Sequence, residues 1–175
     1  MMTTPLTVIL DLDETLVHTT DRPLPIKSTA AHIIRLDGHN MYVHIRPGAR
    51  QLLQFLKRLH PFVRLAVWTA GIKLYAARVL DLLMPEWRTH LYFVRSRGDC
   101  VSRRVNNRES ALLKDLRHLG IPAHRLILVD DNDDHYRFNV NNGYRVLRAP
   151  PFRGELSDRY LSTLRRELTR RVQLV

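Results

Sequence analysis

Two acidic residues directly follow the most apolar segment near the start of this chain, and they restrict its fold and chemistry more than any other feature. Leu6-Thr7-Val8-Ile9-Leu10 has the apolar and β-branched composition of a buried strand. Asp11 and Asp13 follow it within Asp11-Leu12-Asp13-Glu14-Thr15. Parallel α/β sheets bind ligands at the carboxyl ends of their strands, so we expect both carboxylates to face one crevice. Taken alone, the pair has a second interpretation, because Asp also caps helices and starts turns.

The rest of the chain alternates between strand-like and helix-like segments. Strands are predicted at 62–68, 91–94, 125–129 and 144–147, helices from Pro47 and over about 73–83, 109–119 and 157–171, loops at 18–31 and 95–108, and a β-hairpin formed by 32–36 and 41–45. This order predicts an α/β fold with a doubly wound, Rossmann-like parallel sheet of about five strands. Helices are expected on both faces, with a small β-hairpin insert at about 30–46, and residues 1–175 are expected to form one domain.

Composition indicates a soluble globular protein with an unusually positive field. Of its 175 residues, 45% are hydrophobic and 26% charged. We expect an intracellular protein, nuclear or cytoplasmic, because the chain has no signal-peptide layout and no apolar run of the roughly 20 residues that cross a bilayer. One cysteine, Cys100, excludes an internal disulfide and a cysteine-based zinc cluster. The net charge of +11, nearly all from arginine, would attract acidic, phosphorylated or nucleic-acid partners, although a compositional bias of the genome explains it equally well.

Polar residues follow three of the predicted strands. They are Asp11 and Asp13, Thr69, and Asp130 with Asp131. Each set alone could be a cap or a turn, but their coincidence at one sheet edge favours a shared site. Four carboxylates in one crevice need a hard cation with oxygen ligands, and Mg²⁺ fits best. Lys114, on the predicted helix 109–119, could direct its ammonium to the same edge, although it could equally be an ordinary surface lysine.

These motifs, taken together, resemble the haloacid-dehalogenase superfamily. More narrowly, the chain is similar to its DxDx(T/V) members, the small phosphatases that act on the RNA polymerase II C-terminal domain. The segments that carry the resemblance are Asp11 to His18, Ile45-Arg46-Pro47-Gly48, Trp68-Thr69-Ala70-Gly71, Lys114-Asp115-Leu116, Leu119-Gly120, Val129-Asp130-Asp131, Phe152-Arg153-Gly154 and Asp158. The resemblance covers essentially the whole chain and implies one phosphatase catalytic domain over 1–175.

The resemblance also implies a role for each site residue. Asp11 would be the nucleophile that forms an aspartyl-phosphate, and Asp13 the general acid and base. Thr69, Lys114 and Arg97 would bind the phosphate. The Mg²⁺ ligands would be Asp11, the backbone carbonyl of Asp13, and Asp131. Asp130 would sit behind the metal, orienting a water or pairing with Lys114.

The chain departs from the family pattern at two places. Asp131 stands where the family often has Asn, which adds a negative charge at the expected metal site and should tighten Mg²⁺ binding. Residues 101–108 form a longer and more basic segment than the family's corresponding loop. We also expect neither a further domain for recognising the polymerase tail nor a membrane anchor, so the usual substrate cannot be assumed.

Three functions fit these observations. The leading hypothesis is an Mg²⁺-dependent phosphatase for phosphoserine or phosphothreonine in proteins. The second is a phosphatase for nucleic-acid ends or nucleotides, with Arg103, Arg104 and Arg108 holding the polyanion. The third is a catalytically silent binding module. The terminal helix has Arg165, Arg166, Arg170 and Arg171 opposite Leu161, Leu164, Leu168 and Val172, so it is either an amphipathic cover for the sheet or a docking surface for an acidic partner.

Overall fold

The computed structural model describes residues 4–25, 27–104 and 110–172. A central sheet of five parallel strands has the order β10–β9–β1–β5–β6. Its strands are β1 (Leu6–Leu10), β5 (Val63–Trp68), β6 (Val94–Arg95), β9 (Leu126–Asp130) and β10 (Arg145–Arg148). The chain runs outward from β1 first to one side and then to the other, so the topological switch point lies at the end of β1.

The helices cover both faces of this sheet. They are α1 (Ala49–Arg58), α2 (Lys73–Leu83), α3 (Trp87–His90), α4 (Asp133–Asn141) and α5 (Tyr160–Val172). Strand β1 shows why: Val8 and Leu10 pack into the larger core with α1, α2 and α5, whereas Ile9 packs with Trp68 and Leu116 on the other face. The predicted α/β class, parallel sheet and two-sided helix cover are therefore confirmed.

The insert after β1 is a three-stranded antiparallel sheet. Its strands are β2 (Val17–Thr20), β3 (Ala31–Leu36) and β4 (His39–Ile45), in the order β2–β4–β3. The predicted hairpin corresponds to β3 and β4. Strand β2 was wrongly predicted as loop, because its sequence Val-His-Thr-Thr lacks an apolar alternation and its partner β4 lies more than twenty residues away.

The prediction was wrong for the segment that carries Lys114. Instead of a helix over 109–119, the structure has a strand β8 (Ser110–Leu113), an irregular stretch at Lys114 and Asp115, and a 3-10 helix over Leu116–Leu119. Strand β8 pairs antiparallel with β7 (Val101–Arg104), so the predicted loop 95–108 contains one arm of a second hairpin. The apolar residues 112, 113 and 116 suit a helix by spacing alone, and only pairing with β7 decides for a strand.

Two further differences concern helices. Helix α4 was not predicted, because the residues that it buries, His135 and Asn139, are polar and give no apolar periodicity. The terminal helix α5 begins at Tyr160, where the Asp158 carboxylate accepts the Tyr160 N–H at 3.1 Å and so occupies a capping position. Among the described residues, none of the helices has the length and apolar character needed to cross a membrane.

Candidate active site

The carboxyl ends of the three central strands bring the predicted acidic residues together. The register pairs Leu10 of β1 with Val67 of β5 and Val129 of β9, so the next residue, Asp11, lies beside the end of both neighbours. Its backbone N–H donates to the Val129 carbonyl at 3.0 Å, which fixes the turn at this point. The residues brought to this edge are Asp11, Asp13, Thr69, Asp130 and Asp131, with Lys114 beside them.

Lys114 is buried between two carboxylates. Its side chain is 1% exposed, and its ammonium donates to Asp130 Oδ2 at 2.7 Å and to Asp11 Oδ1. Burial alone would lower the pKa of Lys114, but Asp11 and Asp130 outweigh burial and raise it above its ordinary value. The lysine is therefore a fixed positive charge at the sheet edge, and not a surface side chain.

Asp13 accepts hydrogen bonds from two hydroxyls on neighbouring elements. Thr69 Oγ1 donates to Asp13 Oδ2 at 3.1 Å, and the hydroxyl of Tyr75, on α2, donates to Asp13 Oδ1. Thr19 Oγ1 lies 2.8 Å from the same Tyr75 hydroxyl. The backbone N–H of Gly71 donates to Thr69 Oγ1 at 2.8 Å, which turns the threonine proton toward Asp13. Tyr75 was missed from the sequence, where it resembles any core aromatic of an amphipathic helix.

Three carboxylates of this edge lie close enough to share one ion. Asp11, Asp130 and Asp131 each offer an oxygen, and these oxygens lie within 4.8 Å of one another. Burial raises the pKa of Asp11 well above its ordinary value; Lys114 opposes this effect, and Asp130 and Asp13 add to it. Burial, with the carboxylates of Asp130 and Glu14, raises the pKa of Asp131 to about 6. The site therefore carries more negative charge than Lys114 compensates.

Asp130 differs from the other two because its oxygens are already occupied. Oδ2 accepts from Lys114, Oδ1 accepts the Asn132 N–H at 2.9 Å, and the His135 ring lies 3.0 Å away. Burial would raise its pKa, but Lys114 and His135 outweigh burial and lower the pKa to about 2. Asp130 is thus paired with Lys114, a contact that one of its two predicted roles requires.

Arg97 reaches the same edge from a 3-10 turn over Arg97–Asp99. Its Nε donates to the Ala70 carbonyl at 2.8 Å, and its backbone N–H donates to the Gly71 carbonyl at 2.8 Å. The arginine thus lies against the loop that follows β5, next to Thr69. Of the predicted basic segment, Arg103 contacts Asp115 at 3.5 Å and lies on β7, and Arg108 lies outside the described residues.

A second buried cation, also missed from the sequence as a site element, supports the turn after Asp13. Arg46 is 1% exposed and makes two hydrogen bonds to the carboxylate of Asp158, at 2.9 and 2.8 Å. Its remaining nitrogen donates to the carbonyls of Glu14 at 3.3 Å and Thr15 at 3.2 Å. The guanidinium thereby links the first turn of α5 to the acidic turn after β1.

With this geometry established, comparison with known proteins gives the family. The sequence model of the NLI interacting factor-like phosphatases matches residues 6–174. The chain belongs to this family. The resemblance to phosphatases of the polymerase C-terminal domain is thereby confirmed.

Curated relatives of this family member are named phosphatases. It is 33% identical over 144 residues to Phosphatase Herzog of Drosophila melanogaster, which covers 79% of this chain and 37% of that protein. It is 35% identical over 146 residues to the human CTD small phosphatase-like protein, which covers 79% of this chain and 47% of that protein. The chain thus spans about half or less of the length of these relatives.

Solved structures show the same fold. The fission yeast RNA polymerase II CTD phosphatase Fcp1, bound to beryllium fluoride, superposes with a TM-score of 0.62 at 21% identity, covering 98% of this chain and 51% of that one. The HAD domain of the Legionella pneumophila effector Lem4 gives a TM-score of 0.53 at 14% identity, covering 98% of this chain and 96% of that one. This member of the NLI interacting factor-like phosphatases therefore has a HAD-type fold.

Proposed function

We propose that this protein hydrolyses phosphate monoesters through an aspartyl-phosphate on Asp11, and that its substrates are proteins phosphorylated on serine or threonine. The observation that carries the proposal is the cluster of Asp11, Asp13, Thr69 and Lys114 at one sheet edge. Lys114 donates to the nucleophile, Asp11, and Thr69 donates to the second carboxylate, Asp13. Phosphoryl transfer needs a nucleophile, a proton-transferring group and positive charge at the phosphoryl oxygens, and these residues would supply all three.

The residues present suit Mg²⁺, the ion implied by the fold family. Three carboxylates lie within reach of one another, and burial, together with the neighbouring carboxylates, raises the pKa values of Asp11 and Asp131. Carboxylate oxygens are the ligands that Mg²⁺ prefers. Asp11, Asp131 and the backbone carbonyl of Asp13 would hold the ion, whereas the oxygens of Asp130 are occupied. When bound, the ion would neutralise charge on Asp11 and on the phosphoryl oxygens.

The first step is an in-line attack by Asp11 on phosphorus. Lys114 bonds to Oδ1 of Asp11, which leaves Oδ2 to form the new oxygen–phosphorus bond as the bond to the leaving oxygen breaks. Lys114 and the hydroxyl of Thr69 would hold the phosphoryl oxygens as their charge redistributes. Because Thr69 donates to Asp13 in the structure, it would exchange that hydrogen bond for one to the phosphate.

Asp13 would move the protons of both steps. It gives a proton to the leaving hydroxyl of serine or threonine and then removes one from the water that hydrolyses the aspartyl-phosphate. In the structure Tyr75 and Thr69 both donate to the carboxylate of Asp13; once Thr69 turns to the phosphate, Tyr75 would hold that carboxylate toward the leaving group. This division of roles requires that Asp11 and Asp13 differ in environment. Of these two carboxylates, Asp11 is the one that accepts a hydrogen bond from Lys114.

The substrate class rests on the relatives. The human relative is named as a small phosphatase-like protein for the CTD, and the Fcp1 structure as that of a polymerase CTD phosphatase. Both names describe phosphorylated protein substrates. The alternative of nucleic-acid ends remains a prediction, because residues 105–109 of the basic segment lie outside the described residues.

The test is a substrate panel with an inactive control. Wild-type protein with Mg²⁺ should hydrolyse an aryl phosphate and phosphoserine or phosphothreonine peptides, and Asp11→Asn should lower both rates at least about 10³-fold. Activity on oligonucleotide ends alone, falling steeply with salt, would replace the protein substrate with nucleic acid. A near wild-type rate in Asp11→Asn would refute the nucleophile.

A second measurement separates an enzyme from a silent binding module. Beryllofluoride mimics a phosphoryl group on a carboxylate nucleophile. It should raise the melting temperature of the wild type only when Mg²⁺ is present, and should leave Asp11→Asn unchanged. A wild type that is inactive and gains no stability from beryllofluoride would favour the silent module.

A further inference from the structure

Lys114 stands in an irregular piece of chain that cannot fix its own position. It lies between β8, whose pairing ends at Leu113, and a short 3-10 helix that begins at Leu116, so neither element serves the Lys114 carbonyl or the Leu116 N–H. A buried backbone polar group without a partner costs free energy, so other elements must satisfy this stretch. An ammonium that must lie within hydrogen-bond distance of Asp11 also needs a rigid support.

The support comes from two buried side chains one turn apart on α4. His135 is 4% exposed and Asn139 is 0% exposed, although both are polar. Their spacing of four residues places them on one side of the helix, toward the segment around Lys114.

Asn139 holds both sides of the irregular stretch. Its Nδ2 donates to the Lys114 carbonyl at 2.8 Å, and its Oδ1 accepts the Leu116 N–H at 3.1 Å. One side chain therefore satisfies a carbonyl and an N–H that no regular element serves. The same Nδ2 also lies 2.9 Å from the His135 carbonyl, which ties the asparagine to its own helix.

His135 adds a third attachment. Its Nε2 lies 3.0 Å from the Leu112 carbonyl, which can only accept, so this nitrogen donates. Its Nδ1 lies 3.0 Å from Asp130 Oδ2, the oxygen that also binds Lys114. The imidazole thus connects the strand that leads to Lys114 with the carboxylate that Lys114 pairs with.

We propose that His135 and Asn139 are positioning residues for the reaction. They bond to the backbone of residues 112, 114 and 116 and hold this stretch so that the Lys114 ammonium contacts the phosphoryl group. This inference rests on the proposed function, because it assigns Lys114 to the transferring phosphate. Helix α4 begins two residues after Asp131, so one short element would align both the expected metal edge and the phosphate-binding lysine. A misplacement of about 1 Å in such a group can lower a rate about 100-fold.

The test compares four single variants on the same helix. Asn139→Ala removes both bonds of the asparagine, and Asn141→Ala is its control, because Asn141 is exposed. His135→Gln has an amide nitrogen near the position of Nε2 and can keep the Leu112 bond, whereas His135→Asn can reach only Asp130. We expect kcat on an aryl phosphate to fall about 10- to 100-fold in Asn139→Ala and His135→Asn, with little change in KM, because Lys114 acts on the transition state. His135→Gln and Asn141→Ala should stay within about threefold of wild type.

Equal activity of His135→Asn and wild type, or of Asn139→Ala and wild type, would overturn the proposal. Loss of activity in His135→Gln, with wild-type activity in His135→Asn, would overturn the Leu112 attachment, since only the Asp130 contact would then matter. If Asn139→Ala does not fold, as judged by its melting temperature, the two histidine variants decide the matter.

An independent readout separates this proposal from the proposed function. Hydrogen exchange at the Leu116 amide should be slow in wild type and in Asn141→Ala, and at least about 10-fold faster in Asn139→Ala. A wild type without phosphatase activity would refute the proposed function, yet the exchange rates would still test the attachment. Unchanged exchange in a folded Asn139→Ala would refute the attachment even if the enzyme is active.

Discussion

Two buried cations, Arg46 and Lys114, contact the segment that follows β1. The groups around them differ, and the difference separates a structural role from a catalytic one. Arg46 faces one carboxylate, Asp158, and two backbone carbonyls, and it is stacked between the rings of Phe152 at 5.4 Å and Tyr160 at 4.7 Å. Lys114 faces two carboxylates and has further ones nearby. The arginine pair is balanced in charge and complete in its hydrogen bonds, whereas the lysine cluster has an excess of negative charge.

The difference has an energetic meaning. A buried ion pair with all hydrogen bonds made contributes little net stability, but removal of one partner leaves a costly uncompensated charge. An unbalanced cluster stays destabilised until a cation or a reacting group completes it, and such sites are where function is found. We therefore expect substitutions at Arg46 to act on folding, and substitutions at Lys114 to act on catalysis in addition to the cost of leaving Asp11 and Asp130 without their cation.

The largest expected effect is that of Lys114→Met. The substitution keeps the length of the side chain but removes the charge that would stabilise the phosphoryl group, so kcat/KM on an aryl phosphate should fall about 10³-fold. Steady-state kinetics with Mg²⁺ measure it. Lys57→Met is the matched control, because Lys57 pairs with Glu86 on the surface at 2.8 Å and should leave the rate unchanged. A Lys114→Met rate within tenfold of wild type would remove the contrast with Arg46.

Arg46→Met should instead destabilise the fold. It removes the cation that pairs with Asp158 and the side-chain donor of the Thr15 carbonyl, and leaves the carboxylate with the Tyr160 N–H alone, at a cost of about 3 kcal/mol. For a domain of this size the melting temperature should fall by about 6–12 °C. Arg171→Met removes the arginine of a solvent-accessible pair with Glu167, and should cost less than about 0.5 kcal/mol. Calorimetry measures both melting temperatures. Equal values for Arg46→Met and Arg171→Met would contradict the structural role of Arg46.

Acid should weaken the Arg46 pair in a defined pH range. Burial raises the pKa of Asp158, but its hydrogen bonds with Arg46 outweigh burial and hold the pKa below its ordinary value. The pair therefore contributes fully above about pH 4, the unfolded value, and the contribution disappears as pH falls through the lower folded pKa. Asp158→Asn keeps one acceptor oxygen for Arg46, so its loss of stability should be smaller than that of Arg46→Met. Urea unfolding at pH 7 and pH 3 measures it. The difference in free energy of unfolding between wild type and Asp158→Asn should be larger at pH 7 than at pH 3.

The same two cations show how far the sequence alone reaches. Lys114 could be proposed as a site residue because a lysine in an arginine-rich chain lies in a recognisable motif, yet its local structure was predicted as helix. The hairpin that places it depends on pairing between β7 and β8, which the spacing of Leu112, Leu113 and Leu116 does not reveal. Arg46 and Asp158 are 112 residues apart, so their contact could not be inferred from either segment.

Elements set by local pattern were predicted well, and those set by distant partners were not. Strands β1, β5 and β9 are mostly apolar and almost entirely buried, and α1 and α2 have a regular apolar side. The positions of these strand ends in the sequence are almost sufficient to predict where the acidic residues of the site lie. The side chains that complete that edge, Tyr75, His135 and Asn139, are polar groups in helices, and their partners come from other parts of the fold.

The smallest expected effect is that of a change at Tyr75. It tests whether the acidic cluster beside Lys114 needs a hydrogen-bond donor in addition to Lys114. Tyr75→Phe keeps the packing of the ring but removes the hydroxyl that donates to Asp13, so the carboxylate loses one of its two hydroxyl donors. One hydrogen bond to a charged group corresponds to about 1.5–3 kcal/mol, and we expect the lower end of that range, about a tenfold lower kcat. Tyr92→Phe is the control, because Tyr92 is 51% exposed and lies at the opposite end of the sheet, near Leu65. If Tyr75→Phe kept the wild-type rate, Thr69 alone would orient Asp13, and α2 would serve the site only by packing.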